Sequence, residues 1–414
     1  MSDHLETIQF LSENQEKVMS ICMVISGLLS MFGSTTIVYR VLRKDAKTKS
    51  FDRLMLGLSI FDVIASFSFV LTPFVLPKET SVRVWAMGDK VSCSVLGWLS
   101  QLSVGAAWYS CLLSFFFLAT LRIRISNNDF AVRFEPYMHG LTVFYFLFSA
   151  TFGVVFDIYG ENDLQLGCWV KEVPKGCDKE GGCLTITTSF FMGGLPLFFT
   201  LFALPINYVL TFSHVRKVLK FMARHNPIQA AHIRRLAIQG TLYVLAYFIS
   251  YGPQLVIRVL AAFLDFGRAD EPSIYWLLVL NSICYPLQGF LNMFVYSRPN
   301  FLRLRAAGMP FWKAFRAACF APDVSKYLDG RNNLLQIRSS VHYDSSAEMD
   351  KYHSRAEPPK SPRVTHLLSQ EFKSAMAKTR MPEMIEFFSS DENEDMETAL
   401  YHTEVVDSSE EARA

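Results

Sequence analysis

Polar side chains interrupt apolar stretches of this 414-residue sequence, and each of them needs a partner. Asp62 follows the apolar run LSIF, and Gln288 and Asn292 stand four residues apart in QGFLN. Residues four apart share one face of a helix, so Gln288 and Asn292 are predicted to point the same way. A carboxylate in apolar surroundings is protonated, or takes a cation or hydrogen-bond donors. If their helices are neighbours, Asp62, Gln288 and Asn292 form one cluster, either around water or Na⁺ or as hydrogen bonds that only fix packing.

A second polar pair lies in the sixth apolar stretch. Gln254 directly follows Pro253, and Arg258 lies four residues after Gln254. Arg258 either extends to the membrane interface or points into a cavity and meets an anionic ligand group. Candidate ligand contacts, chosen as polar or aromatic groups inside apolar stretches, are Gln101, Trp108, Asn207, Gln254 and Arg258.

Two kinds of chemistry are disfavoured by what the apolar stretches lack. The nine histidines lie outside these stretches or at their edges, so no intramembrane metal centre or metal-dependent hydrolase is predicted. The seventh stretch contains no lysine, which argues against a Schiff base with retinal. We therefore predict no enzymatic activity, no cofactor and no metal.

The elements that position these residues are seven apolar blocks, each near the roughly 20 residues that cross a bilayer as a helix. Composition agrees, with 51% hydrophobic residues, 36 Phe and only 19% charged residues. Several stretches are apolar all round, whereas helices of a soluble protein would show polar faces. The predicted fold class is an all-α membrane protein, a seven-transmembrane helix bundle with spans at 18–39, 54–76, 93–121, 138–159, 186–212, 238–264 and 273–296.

The basic residues predict how the bundle is oriented. Segments on one side of the predicted spans carry twenty Lys and Arg, and those on the other side carry eight. The basic side faces the cytoplasm in most membrane proteins. The N-terminus is therefore predicted outside and the C-terminus inside.

Four cysteines fall on the predicted outer side, where disulfides persist. Cys93, Cys168, Cys177 and Cys183 allow three pairings. Of these we favour Cys93–Cys168, which ties the third span to the second outer loop, together with Cys177–Cys183. Cys319 lies on the inner side, as either a reversible lipid anchor or a plain thiol.

The chain divides by composition into four parts. Residues 1–17 are predicted to be a short extracellular N-terminus, 18–297 the membrane domain, 298–320 a short amphipathic juxtamembrane helix and 321–414 a disordered cytoplasmic tail. The tail is rich in Ser and ends acidic, so it lacks the apolar surface needed to fold. Its candidate phosphorylation sites are Ser361, Ser389 and Ser390.

Several short motifs occur in the order in which one known family carries them. LSIFD resembles the Leu-Ala-x-x-Asp motif of rhodopsin-like G-protein-coupled receptors, with Ser59 for Ala. NMFVY resembles their Asn-Pro-x-x-Tyr motif, with Met293 for Pro, and YFISYGP is similar to Phe-x-x-Cys-Trp-x-Pro. Cys168-Trp169 and the QGF before Asn292 look more like the cyclic-AMP-receptor and secretin-like branches. The chain thus resembles a divergent receptor over residues 18–320.

The resemblance implies a function and a set of switch residues. In such receptors, rearrangement of a polar network accompanies movement of the sixth helix, which admits a heterotrimeric G protein. The implied switch residues are Asp62, Gln288, Asn292, Tyr296, Tyr251 and Pro253. Basic residues implied to contact the G protein are Arg122, Arg124, Arg234 and Arg235, although LRIR lacks the acidic neighbour usual in the family.

Partners and location follow from the same resemblance. They are an unknown extracellular ligand, the lipid bilayer, a receptor kinase and arrestin-like proteins, with multi-pass insertion in the plasma membrane and no nucleic acid. The alternative is a secondary transporter with seven spans, since Gly193, Gly194, Pro196 and Pro205 in the fifth span are the kind of residues that break transporter helices. No half-to-half sequence repeat supports that alternative.

Overall fold

A computed structural model describes residues 12–321, with gaps at 44–48, 79–84, 163–166, 172–187, 189, 226 and 264–271, and also Val324 and Tyr327. The long helices are α1 (Glu13–Arg43), α2 (Ser50–Val75), α3 (Lys90–Leu118), α4 (Glu135–Val155), α5 (Leu195–His225), α6 (Pro227–Phe263), α7 (Pro272–Cys284), α8 (Gln288–Ala306) and α9 (Phe311–Phe320). A short connecting helix occupies Asn127–Arg133. Two strands, β1 (Tyr159–Asn162) and β2 (Gly167–Val170), complete the set.

Seven helical segments are long and apolar enough to cross a membrane, as predicted. Helices α1 to α6 provide six, and α7 with α8 provides the seventh. Helix α3 lies at the centre, because 67% of its apolar window is buried against 22% for the fifth segment. The chain is therefore a multi-pass membrane protein whose peripheral helices present apolar side chains outward.

The helix ends differ from the prediction where local chemistry overrides hydropathy. The fourth span was expected to reach Tyr159, but α4 ends at Val155 and Asp157 adopts a left-handed backbone with φ 50°. The chain then forms the antiparallel pair β1–β2, with Tyr159 opposite Val170. A four-residue strand has too short a pattern to stand out from the apolar residues beside it. The all-α prediction thus missed one hairpin.

The seventh span is broken at its middle. Residues Tyr285–Leu287 form a 3₁₀ turn with Pro286 inside it, because proline removes a backbone donor. Helix α8 then continues to Ala306, ten residues beyond the predicted end of the span at Tyr296. The Gly193-Gly194 pair of the fifth span lies in a π-helical turn, Phe190–Gly194, whereas α5 continues through Pro205.

The chain separates into two compact units, Met1–Ser297 and Arg298–Ala414. Within the second unit, Gly308 has φ 74° and Pro310 precedes α9. Helix α9 buries Ala314, Ala317 and Ala318 and exposes Phe311 and Trp312. The juxtamembrane segment predicted at 298–320 thus comprises the end of α8, a turn and the amphipathic α9.

The first unit contains one very close helix crossing, between α1 and α8. The Gly289 backbone nitrogen donates to Ser30 Oγ at 2.9 Å. A Cβ atom added to Gly33 would lie 2.8 Å from the Gly289 carbonyl oxygen. Only glycine at both positions lets the two backbones approach this closely.

Candidate ligand and switch sites

The polar residues of α8 reach different neighbouring helices. Asn292 Nδ2 donates to Asp62 Oδ2 on α2 at 2.9 Å, and both side chains are 2% exposed. The structure thus brings together two of the three residues of the expected cluster. Because a buried carboxylate without a donor is costly, this hydrogen bond ties α2 to the seventh span.

Gln288, the third residue of that expected cluster, has a different partner. Its Nε2 donates to Ser110 Oγ on α3 at 3.0 Å. Gln288 and Asn292 share a helical face, but the face spans the gap between α2 and α3. The spacing predicted the common face correctly, and only the structure separates the two partners.

A second polar cluster lies about one helical turn beyond Asn292 along the seventh span. Tyr296 donates its hydroxyl to Asp52 Oδ1 on α2 at 3.0 Å. The guanidinium carbon of Arg40, on α1, is 5.0 Å from the Tyr296 ring centroid, and its Nη1 donates to Ser297 Oγ at 3.1 Å. We call Arg40, Asp52, Tyr296 and Ser297 the Tyr296 clasp. All four residues are buried.

The sequence interpretation missed Arg40 and Asp52. Arg40 was counted only among the basic flanks that orient the chain, and Asp52 was not singled out. Arg40 is 5% and Asp52 3% exposed, so neither behaves as a flanking surface charge. The available signal was their opposite charge within the last turn of α1 and the first turn of α2.

Aromatic side chains of α6 contact α5 and the seventh span. The Tyr251 ring lies 4.7 Å from that of Tyr247 and 5.4 Å from that of Tyr285. Tyr247 shares a hydrogen bond of 2.9 Å with Thr200 on α5. Helix α6 passes through Pro253 without ending. Tyr251 therefore sits between a proline-containing turn of α6 and the broken part of the seventh span.

The end of the bundle that carries the Cys93–Cys168 disulfide is called the disulfide end. The disulfide was predicted and is confirmed, and it joins α3 to β2. Next to it, Trp169 Nε1 donates to Gln101 Oε1 at 3.0 Å, and Gln101 Nε2 donates to Ser149 Oγ and to the Met192 carbonyl. We call the disulfide, the hairpin and the Gln101 contacts the cap. Gln101 is fully enclosed with all its polar groups bonded, so it holds this packing together.

Tyr159 fills the space between α3 and α4 beneath the hairpin. It is 1% exposed, and its hydroxyl donates to the Ala150 carbonyl at 3.0 Å. A Cβ atom at Gly97 or at Gly153 would overlap the Tyr159 ring. Burial raises the pKa of the Tyr159 hydroxyl, so it remains a neutral donor.

The cap also carries an exposed ion pair. Asp157 Oδ2 accepts a hydrogen bond from Lys90 Nζ at 2.6 Å and lies 3.4 Å from Lys171 Nζ. The hydrogen bond from Lys90, and then the charge of Lys171, lower the pKa of Asp157. This carboxylate links the end of α4 to the start of α3 and to the residue after β2.

Arg258 and Gln254 lie near the disulfide end, on the part of α6 that faces the bundle. The Arg258 guanidinium carbon is 5.7 Å from the Trp169 ring centroid, so Arg258 packs on the cap. One turn along α6, Gln254 Oε1 accepts a hydrogen bond from Asn281 Nδ2 on α7 at 2.8 Å. No carboxylate among the described residues forms an ion pair with Arg258.

The other two candidate ligand contacts are part of the helix packing. The Trp108 ring lies 5.2 Å from that of Phe199 and 6.5 Å from that of Phe146. Asn207 Nδ2 donates to Ser114 Oγ at 3.1 Å. Both residues therefore join α3 to its neighbours, and the structure does not bring them to Arg258.

The four arginines expected to contact a G protein lie at the end of the bundle away from the disulfide, called the opposite end. Arg122 and Arg124 are exposed where α3 finishes in a π-helical turn, and Arg124 has φ 63°. Arg234 and Arg235 are exposed in the early turns of α6. The structure thus groups all four at one end.

Some predicted sites lie elsewhere. Cys177 and Cys183, and the tail residues Ser361, Ser389 and Ser390, fall outside the described residues. Cys319 in α9 is 1% exposed, so lipid attachment there requires that the thiol first become accessible. Over the described ranges, no group of three or more His, Cys, Asp or Glu side chains is arranged to hold a metal ion.

Comparison of the sequence with protein families finds no matching family model, and no curated protein matches it. The structure, in contrast, is similar to that of squid rhodopsin. The alignment has a TM-score of 0.50 at 14% identity and covers 76% of this chain and 88% of the rhodopsin chain. The chain therefore has the seven-helix fold of rhodopsin, although only 14% of the aligned residues are identical.

Proposed function

We propose that this chain, which has the rhodopsin fold, is a G-protein-coupled receptor that transmits an extracellular ligand signal to a heterotrimeric G protein. The observation that carries the proposal is the seventh span. Its polar residues make single hydrogen bonds to α2 and α3 and end in the Tyr296 clasp. Polar groups inside a membrane bundle are costly and mark functional positions.

In this proposal the disulfide end faces the outside of the plasma membrane. Disulfides persist in oxidising compartments, and the more basic loops belong to the opposite end. The ligand binds near Arg258 and Gln254, between α6, α7 and the cap. The opposite end then faces the cytoplasm, where receptor kinases and arrestin-like proteins act on the tail.

The signal travels along the aromatic contacts of α6. A ligand that shifts α6 or α7 displaces Tyr285 and Tyr251, whose rings touch. Tyr251 and Asp62 lie close enough to interact electrostatically, so the displacement reaches the Asp62–Asn292 hydrogen bond. When that hydrogen bond is lost, the seventh span can move away from α2. The hydrogen bond from Tyr296 to Asp52 in the Tyr296 clasp then breaks as well.

Breaking the contacts of the Tyr296 clasp changes the helix packing at the opposite end of the bundle. Phe51 stacks on Tyr296, with ring centroids 6.3 Å apart, and it also touches Tyr243 of α6 at 6.2 Å. Movement of Tyr296 therefore alters the packing of α6 against Phe51. Outward movement of α6 exposes the surface that carries Arg122, Arg124, Arg234 and Arg235, which binds a Gα subunit with acidic or polar complementary groups.

The test is nucleotide exchange on a panel of purified Gα subunits, with the full chain in lipid vesicles. The parent is compared with Asp62→Asn, which keeps the shape and removes the charge, and with Asn292→Ala. Tyr275→Phe, outside all the switch contacts described, is the matched control. We expect basal exchange on at least one Gα to change severalfold in both switch variants and to stay at the parent level in the control.

Two outcomes contradict the proposal. Equal exchange by parent and both switch variants on every responsive Gα would remove the Asp62–Asn292 contact from the mechanism. Silence across the whole panel, for the parent and all variants, would favour the transporter alternative, which solute flux into the same vesicles would then measure.

A further inference from the structure

Within the described residues, the part of α6 and α7 nearest the cap combines an arginine that has no carboxylate partner with a buried acceptor that has no donor. Arg258 forms no ion pair with any described carboxylate, although it lies among side chains and not at a free surface. Asn281 Oδ1 is buried and has no hydrogen-bond partner among the described groups. Native structures normally pair a buried charge with an opposite charge and a buried acceptor with a hydrogen-bond donor.

Arg258 is held so that its donors remain available. Its guanidinium packs on the face of Trp169, 5.7 Å from the ring centroid. A guanidinium stacked on an aromatic face keeps its N–H donors at the edge of the plane, where they match a carboxylate or phosphate. Trp169 is itself fixed by its hydrogen bond to Gln101 and by the neighbouring disulfide. The orientation of Arg258 thus depends on a rigid support.

The side-chain amide of Asn281 is also held in a fixed orientation. Its Nδ2 is committed to Gln254 Oε1 at 2.8 Å, which leaves Oδ1 as the acceptor that points away from that bond. Gln254, the residue that Asn281 contacts, precedes Arg258 by four residues on α6. The two positions therefore lie on one face of α6, about one helical turn or roughly 6 Å apart along its axis. A ligand satisfies both only if it carries complementary groups at that spacing.

We infer that Arg258 and Asn281 form a binding site for a small molecule that has an anionic group and, about one helical turn away, an N–H or O–H donor. The anion binds the edge of the Arg258 guanidinium, and the donor binds Asn281 Oδ1. Trp169 and Tyr285 provide aromatic walls. This inference rests on the proposed function in that it names the chemical class of the ligand.

The proposed binding site lies beside the aromatic contacts between α6 and the seventh span. Arg258 and Tyr285 interact electrostatically, and the Tyr285 ring touches that of Tyr251. An anion that draws Arg258 toward α7 therefore acts directly on the aromatic contacts that lead to Asp62. A ligand without charge lacks this means of displacing α6.

Four probes that differ by one feature test the ligand class. Phosphoethanolamine has both groups, phosphocholine has the anion without an N–H donor, ethanolamine has the donor without the anion, and inorganic phosphate is the anion alone. Each is added, up to about 10 mM so that millimolar affinity is detected, to the full chain in lipid nanodiscs. The melting temperature is followed by tryptophan fluorescence, which requires no G protein.

We expect phosphoethanolamine to raise the melting temperature by about 2–4 °C, phosphocholine and phosphate to raise it less, and ethanolamine to leave it unchanged. Arg258→Gln should abolish the response, and Arg258→Lys should retain part of it. Asn281→Leu should remove the advantage of phosphoethanolamine over phosphocholine. Lys171→Gln, which changes a basic residue already paired with Asp157, should respond like the parent.

The inference is overturned if no anionic probe shifts the parent, if ethanolamine acts as strongly as phosphoethanolamine, or if Arg258→Gln responds like the parent. The comparison of the four probes on the parent stands even if Arg258→Gln does not fold. Binding with a silent Gα panel would contradict the receptor proposal alone. Gα exchange that responds to the Asp62 and Asn292 variants, without any anion binding, would contradict the ligand class alone.

Discussion

The cap and the seventh span are both polar regions of one apolar bundle, and they are built in opposite ways. The cap joins α3, α4 and β2 by a disulfide, a strand pair and a glutamine with three hydrogen bonds. The seventh span joins α2 and α3 through separate single hydrogen bonds from Gln288, Asn292 and Tyr296. Contacts of the first kind resist displacement, and contacts of the second kind can exchange one at a time.

That difference separates a support from a moving part. In the proposed receptor, a ligand site needs a surface that stays in place when the ligand binds, and Trp169 in the cap would supply that surface. A switch needs two arrangements that differ by only a few kcal/mol. Single buried hydrogen bonds, each worth about 1 kcal/mol net, are of the right size. Substitutions in the cap are therefore expected to change mainly stability, and substitutions in the seventh span mainly activity.

The largest expected effect is loss of the disulfide. Cys93→Ser or Cys168→Ser should lower stability by about 2–5 kcal/mol, because α3 and β2 are then no longer joined covalently. Surface abundance and melting temperature measure this loss. The double variant should match either single variant, since both remove the same bond, and Cys22→Ser, outside the disulfide, is the control. Additive losses in the double variant would contradict this account.

The glycines beneath the hairpin come next. Gly153→Ala should cost about 1–3 kcal/mol, because the added methyl group overlaps the Tyr159 ring. Tyr159→Ala leaves room for that methyl group, so the pair should melt at a temperature no lower than Tyr159→Ala alone. Gly140→Ala, where a Cβ meets no atom within 4 Å, is the matched control. A Gly153→Ala protein as stable as the control would refute the tight fit.

In the seventh span, Tyr296→Phe should change activity more than stability. It removes the hydroxyl that donates to Asp52 and keeps the ring against Arg40 and Phe51. A loss of about 1–2 kcal/mol shifts a two-state population by about five- to thirtyfold, so basal Gα exchange should rise severalfold. Nucleotide exchange and melting temperature are measured together, with Tyr275→Phe as control. A large drop in melting temperature without any change in exchange would make the clasp a structural contact only.

The smallest effect is expected at Asp157. Because its pKa is lowered in the folded protein, its contribution to stability is present at neutral pH and is lost as pH falls below the ordinary value of about 4. Asp157→Asn also tolerates the left-handed backbone, so it tests charge alone. The stability difference from the parent should be below about 1 kcal/mol at pH 7, since the pair is exposed, and should vanish on acidification. A difference that persists at a pH low enough to protonate Asp157 in the folded protein would exclude a charge effect.

The contacts of the cap and of the seventh span could be predicted from the sequence to different extents. Apolar length locates the spans, because every backbone polar group in a membrane must be bonded internally. The spans made Cys93–Cys168 the favoured one of three pairings, and they allowed Asp62 to meet Asn292 only if their helices are neighbours. The structure contains both contacts. For Asp52 and Arg40 the sequence offered only the signal of opposite charges at adjacent helix ends. That signal does not settle burial, because a charge at a helix end turns inward only when a neighbouring helix presents a partner. The same holds for Gln288, whose partner depends on which of two adjacent helices lies closer.

The glycine crossing of α1 and α8 limits how the seventh span can move. With backbones in contact at Gly289, that point acts as a fulcrum, and the rest of α8 acts as a lever. Tyr296 lies seven residues away, or about 10 Å along the helix axis. A tilt of roughly 10° about the fulcrum shifts Tyr296 by about 2 Å, which is enough to break its hydrogen bond, and barely displaces Gln288. The crossing thus turns a small change of helix angle into a displacement that is large at Tyr296 and nearly absent at Gln288, beside the pivot.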